Sequence, residues 1–206
     1  MNSVNLNDLN TGDILLFDEK PTGCLWKILD GCIKCCTDSK YSHSAIVLKN
    51  PSWLGLPDGI YVWESTGFTH LKDPVDHKKN KFGVQIHHIN EYTKYYGDVI
   101  IYVRQAPEKA RNLFTTDLLN KIYKSTYDKS YDDMPFDWLQ AMIKIGPKRR
   151  TDMFWCSAFV SYVLTMVGVL DSNTDWSMMA PQDLSFNSST IKWNVPYCSD
   201  QKVIFN

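Results

Sequence analysis

Several common sources of chemistry are missing from this 206-residue chain. It has no glycine-rich phosphate loop and no paired catalytic carboxylates, so nucleotide cradling and two-carboxylate acid–base chemistry have no signature here. It also lacks a dominant charge. With 22 basic and 23 acidic residues the net charge is -1, which removes any global electrostatic drive toward nucleic acid or anionic membrane. The short basic run Lys148, Arg149 and Arg150 is too small to change that and reads as a solvated loop. No charged, apolar, small-residue succession opens the chain, and Met1 to Asn10 is polar, so no secretory leader is expected. Internal repeats, low-complexity tracts and linkers are absent too. The expectation is one domain over residues 1–206.

An apolar content of 44% and 13% aromatics argue for a packed core. Four of the six cysteines (Cys24, Cys32, Cys35, Cys36) fall within thirteen residues; Cys156 and Cys198 stand apart. Without a secretion signal, reduced thiols in a cytoplasmic compartment are expected rather than disulfides. Met153 to Leu170 is eighteen residues without a charge, long enough by length alone to span a membrane. Cys156, Ser157, Ser161, Thr165 and Gly168 interrupt it, and Ser157, Ser161 and Thr165 form a small-polar stripe. Such a helix suits the centre of a domain where a sheet approaches closely, so no transmembrane insertion is expected.

Period-2 patterns predict strands at Gly12–Phe17, His43–Leu48, Ile60–Glu64, Phe82–Ile89 and Val99–Arg104, with weaker ones at Lys192–Val195 and Lys202–Phe205. Helical spacing predicts helices over Cys24–Cys36, Glu108–Tyr127, Phe136–Ile145 and Met153–Leu170, the last capped by Thr151 or Asp152. Strands first and helices after make an α+β domain.

Cys156 falls near the start of the longest apolar helix, where unpaired backbone N–H groups and the positive dipole end favour a thiolate and an oxyanion. The bland reading is a small apolar residue filling space. His43 and Glu64 bear on that choice. If strands 43–48 and 60–64 form a hairpin across the Asn50–Gly59 loop with Leu48 opposite Gly59, His43 lies opposite Glu64 on one face. A carboxylate there would orient the imidazole and stabilise its cation, whereas a slip of one residue would separate them. His87 or His88 could take the carboxylate's place. Cys32-x-x-Cys35-Cys36 resembles half a zinc site, but His70 and His77 are isolated, so no metal and no cofactor is expected.

Gly12-Asp13-Ile14-Leu15, Tyr41-Ser42-His43-Ser44-Ala45-Ile46-Val47, Trp63-Glu64, Phe82-Gly83-Val84-Gln85, Trp155-Cys156-Ser157-Ala158-Phe159-Val160 and Pro181-Gln182-Asp183-Leu184 occur in that order. Together they resemble the NlpC-like permuted papain-fold hydrolases, in particular a YiiX-like branch that includes a poxvirus lineage. The resemblance spans positions 12 to 184. It implies a circularly permuted papain-like fold, with an antiparallel sheet packed on a central helix that carries the cysteine. It also implies Cys156 as nucleophile, His43 as base and Glu64 as the third, orienting residue of a thiol protease, amidase, thioesterase or esterase. The substrate would be an acyl, peptide or lipid-amide compound. The lecithin:retinol acyltransferase-like branch has Asn before its cysteine, where this chain has Trp155. Acyl transfer from a lipid, or a non-catalytic protein that kept the fold, are the alternatives. Residues 105–150 are longer than a minimal core of this kind needs and read as a helical insertion.

Overall fold

Alternation of side chains along each strand divides the core of this protein into two apolar layers. The structure is a computed structural model that describes residues 3–18, 40–67, 70–78, 80–96, 99–131 and 149–205. The helices expected over Cys24–Cys36 and Phe136–Ile145, and the Cys32, Cys35 and Cys36 cluster, lie outside the described residues.

Nine strands of the described residues form one sheet: β1 (Ser3–Asn5), β2 (Ile14–Asp18), β3 (His43–Lys49), β4 (Ile60–Thr66), β5 (Gly83–His88), β6 (Ile100–Arg104), β7 (Ser130–Tyr131), β8 (Met153–Phe154) and β9 (Gln201–Ile204). Their spatial order is β1-β9-β6-β2-β3-β4-β5-β7-β8. The centre is antiparallel, as expected, but β1 pairs with β9 and β7 with β8 in parallel, so the sheet is mixed. The expected strand at Lys192–Val195 is reduced to a single bridge between Leu170 and Trp193. The α+β class holds, although strands recur to the end of the chain.

The four α-helices of the described residues are α1 (Ile89–Tyr96), α2 (Glu108–Arg111), α3 (Thr116–Thr126) and α4 (Cys156–Met166). Ile14, Leu16, Ile46, Leu48, Tyr61, Trp63 and Ile86 face α4 and α3, while Leu15, Phe17, Ala45, Val47 and Val62 face the other way with Ile89 and Tyr92 of α1. Both faces being buried explains why the central strands read as continuous apolar runs.

Two helix expectations need correction. The single helix over Glu108–Tyr127 is broken at residues 112–115, where Thr115 caps α3 by accepting from the Leu118 N–H. The break lets Phe114 pack on Gly12, whose φ of +92° and lack of a Cβ make room; a Cβ there would lie 2.6 Å from the ring. Over its described part, segment 105–150 packs into the domain: Leu119 and Ile122 enter the main core and Ser130–Tyr131 joins the sheet. Lastly, α4 starts at Cys156 and not at Met153. Met153 and Phe154 stay extended because they pair with Ser130 and Tyr131, which leaves Trp155 (φ -84°, ψ 172°) and not Thr151 or Asp152 at the cap. Gly168 (φ +83°) ends this helix after eleven residues. No helix of the described residues is long and apolar enough to cross a membrane.

Candidate active site

Two strand positions and one helix start meet at this site: His43, Glu64 and Cys156. The first intrahelical bond of α4 runs from the Phe159 N–H to Trp155 O at 3.0 Å, so the N–H groups of Cys156, Ser157 and Ala158 have no acceptor within the helix. Cys156 is the first helical residue and is only 5% exposed. Its turn is clamped from both sides: Trp155 Nε1 and Ser157 Oγ both donate to Met179 O, at 2.9 and 2.5 Å. Ser65 Oγ donates to Phe154 O at 2.6 Å, which ties the approach to the cysteine onto strand β4. Ser157 thus faces the turn at residues 176–179, where a contact with the sheet was expected of the small-polar stripe.

His43 opens β3 and Glu64 lies on β4. The hairpin register differs from the expected one by two residues. Asn50 closes the loop from an αL conformation (φ 49°): its N–H donates to Gly59 O at 2.8 Å, and its side chain accepts from the Gly59 N–H at 2.8 Å. Ile46 then pairs with Trp63 and Leu48 with Tyr61. A shift of two keeps every side chain on its face. His43 and Glu64 become diagonal neighbours instead of direct ones, and the contact survives, with Nε2 donating to Oε2 at 2.5 Å. Nδ1 is left as the ring nitrogen for Cys156, to which His43 is also hydrogen-bonded. The ring leans on Phe17 at a centroid distance of 5.3 Å, and Phe17 in turn on Tyr92 at 5.1 Å.

The three groups share charge as well as contacts. Burial alone would push the His43 imidazole down, but the facing Cys156 sulfur and Glu64 carboxylate hold it well above the usual histidine range. Burial likewise opposes ionisation of Cys156; the His43 cation and the N–H groups of Ser44 and Ser157, aimed at the sulfur, bring the thiol below its ordinary value. Both shifts favour a thiolate–imidazolium pair, with the fully buried Glu64 behind it.

The other candidates fall elsewhere. His88 sits on the opposite face of β5, its ring edge-on to Tyr61. His87 is buried and faces Glu64 Oε1 at 3.8 Å, beyond hydrogen-bonding distance. His70 bonds Asn80 and His77 is exposed. Among the described residues no group of three or more His, Cys, Asp or Glu is arranged to hold a metal ion. Cys156 and Cys198 are free thiols. Arg150 pairs with Asp152, Arg149 donates to Ser172 O, and Lys148 lies outside the described residues. Sequence reasoning missed the Met179 carbonyl clamp, which joins residues 24 positions apart and has no local signal. It also missed Gln85, whose period-2 relation to His87 places both on the Glu64 face.

No protein-family model matches the chain, and no curated protein does.

Proposed function

We propose that this protein is a cysteine-dependent hydrolase of a permuted papain-like (NlpC-type) kind, acting on an amide, thioester or ester through Cys156, His43 and Glu64. The observation that carries the reading is one histidine, bonded at Nε2 to a buried carboxylate and also bonded to a thiol at a helix start. A cysteine that merely fills space does not need a charged imidazole beside it, and a strand histidine that merely packs does not need a buried glutamate.

The thiolate attacks the acyl carbon, forming a C–S bond, and the carbonyl oxygen takes the negative charge. The N–H groups at the start of α4, which have no acceptor within the helix, are the donors available to that oxyanion. Collapse of the intermediate breaks the bond to the leaving group, which takes the proton from His43. Water then gives a proton to neutral His43 while its oxygen attacks the acyl-enzyme. The C–S bond breaks, and the thiolate–imidazolium pair is restored with a free acid. Glu64 keeps the imidazole oriented and offsets its charge without taking the proton.

The test is incubation of the native protein with iodoacetamide and with an activated acyl ester, followed by mass mapping of the modified cysteine. Cys156 should be alkylated at pH 6–7 faster than the other five cysteines and should hold the acyl group transiently, with Cys156→Ala abolishing both. Equal labelling of all six, or silence at Cys156, would count against a catalytic thiol and leave the packing role.

A further inference from the structure

Glu64 is satisfied on one side only. Its Oε2 takes the His43 hydrogen bond, while Oε1, equally buried, has no hydrogen-bond partner. A carboxylate removed from water needs donors at both oxygens to keep its charge, and a bare one is costly. The residue facing Oε1 is His87 on the neighbouring strand β5. Gln85 is directly opposite Glu64 and His87 opposite Val62, so Glu64 and His87 are diagonal neighbours on one face. His87 is fully buried, and its Nε2 lies 3.8 Å from Glu64 Oε1 and 3.0 Å from Gln85 Oε1.

Gln85 decides where the His87 proton sits. Its Nε2 faces the carbonyls of Gly83, Lys81 and Thr66 at 3.2, 3.4 and 3.5 Å, so the amine end of the amide is committed to acceptors. The oxygen end is therefore turned to His87, and an amide oxygen only accepts. Toward Gln85, His87 Nε2 is therefore the donor; the Lys72 backbone is the other hydrogen-bonding group at this ring. Burial holds this imidazole below the usual histidine range, against the pull of Glu64, Asp73 and the Lys72 backbone, which favours an uncharged ring that donates to Gln85 from Nε2.

We propose that His87 is a positioning residue for Glu64: its Nε2–H rests on Gln85 Oε1 while His43 is an imidazolium, and moves onto Glu64 Oε1 when His43 becomes neutral. The proposal rests on the cysteine-hydrolase reading of the site. In that cycle His43 loses its proton to the leaving group, and the buried carboxylate is left with one neutral hydrogen bond. The approach of His87 fills the vacant oxygen at that moment. No proton is gained or lost by His87; one hydrogen bond is exchanged for another. Closing the gap takes less than about 1 Å, within ordinary thermal displacement of a side chain. The other titratable groups around the pair are His43 and Cys156 beyond Glu64, Asp73 from the loop at residues 70–78, and Glu91 of α1. Asp73 and Glu91 are acidic and supply Glu64 with no donor as carboxylates.

The experiment uses the full chain and two rates at Cys156, for the unaltered protein, His87→Leu and His87→Gln. Iodoacetamide alkylation draws on the thiolate–imidazolium pair; deacylation after loading with an activated acyl ester needs neutral His43, the state in which His87 donates to Glu64. His87→Leu should slow deacylation about tenfold and leave alkylation at pH 6 within about threefold of the unaltered protein. His87→Gln places an amide donor near the former Nε2–H and should keep both rates within about threefold. A purely structural role would lower both rates together with the melting temperature. If His87→Leu does not fold, side-chain ¹⁵N spectra of the unaltered protein decide: a neutral His87 protonated at Nε2 supports the proposal, and protonation at Nδ1 overturns it. A deacylation rate that is the same with and without His87 sinks this role alone. An unaltered protein with no low-pH preference for Cys156 sinks the nucleophile reading and this role with it.

Discussion

Replacing Glu64 by Gln keeps the shape of the side chain and an oxygen able to accept from His43 Nε2, and removes only the charge. Glu64 is fully buried and 2.5 Å from the imidazole, so little water screens the pair. Two unit charges 4 Å apart attract by about 4 kcal/mol at an effective dielectric of about 20, and the cost of burying the carboxylate cancels part of that. The hydrogen bond itself falls from a charge-assisted to a neutral one, a loss of about 1–2 kcal/mol. A net loss between about 1.4 and 4 kcal/mol is one to three pH units of imidazolium stability. The thiolate–imidazolium pair exists between two edges, the lowered thiol below and the raised imidazole above. Glu64→Gln should bring both edges back toward ordinary values and so narrow the window from both sides. At pH 6 the alkylation rate at Cys156 should fall about ten- to a thousandfold, with the melting temperature little changed. Hydrolysis of an activated ester should follow the order of severity Cys156→Ala, His43→Ala, Glu64→Gln. An alkylation profile for Glu64→Gln that superimposes on that of the unaltered protein, at equal stability, would refute the claim that this carboxylate supports the imidazolium.

Two further perturbations probe the frame that holds the site. Gly83 has a φ of +135°, and a Cβ there would lie 2.0 Å from Lys129 O, so Gly83→Ala should break the β5–β7 pairing and lower stability by about 2–4 kcal/mol in urea titration; an unchanged midpoint would contradict this close approach. Asp13 accepts from the Ala106 and Asn10 N–H groups, yet burial raises its carboxyl to about 6. In the folded state it therefore holds its proton above the unfolded value, and stability is lost as pH rises from about 4 to about 6, by about 3 kcal/mol at most. Asp13→Asn should remove that loss, so the difference in unfolding free energy between pH 4 and 6.5 should be more favourable to high pH in the variant; equal differences in the two proteins would refute it.

Much of the frame was readable from local pattern. Alternating apolar residues located the central strands, and an uncharged run located α4, because burial on both faces of a sheet leaves a periodic trace in the chain. The ends of elements were harder. Nothing near Met153 announces that it will pair with Ser130, so the helix start was set three residues early and Cys156 emerged at the first helical position rather than inside the first turn. The break between α2 and α3 has the same origin, since Phe114 leaves the helix to pack on Gly12, which lies far away in the chain. For His43 and Glu64 the face was correct and the register was not. A two-residue shift preserves the face, and a diagonal pair of long side chains still meets.

The sequence alone determined which residues could do this chemistry: a thiol ahead of an apolar helical run, a histidine at one strand start and a glutamate on the next strand. These depend on residue type and on periods of two and 3.6, which are properties of neighbours along the chain. Only the tertiary structure decided that the three converge, that Met179 clamps the cysteine turn from both sides, and that His87 faces the open oxygen of Glu64. Those relations depend on how strands pair and how a helix docks on a sheet, and they join positions up to 113 residues apart, from His43 to Cys156. No local period encodes a distance across that separation; the packing of the whole core sets it.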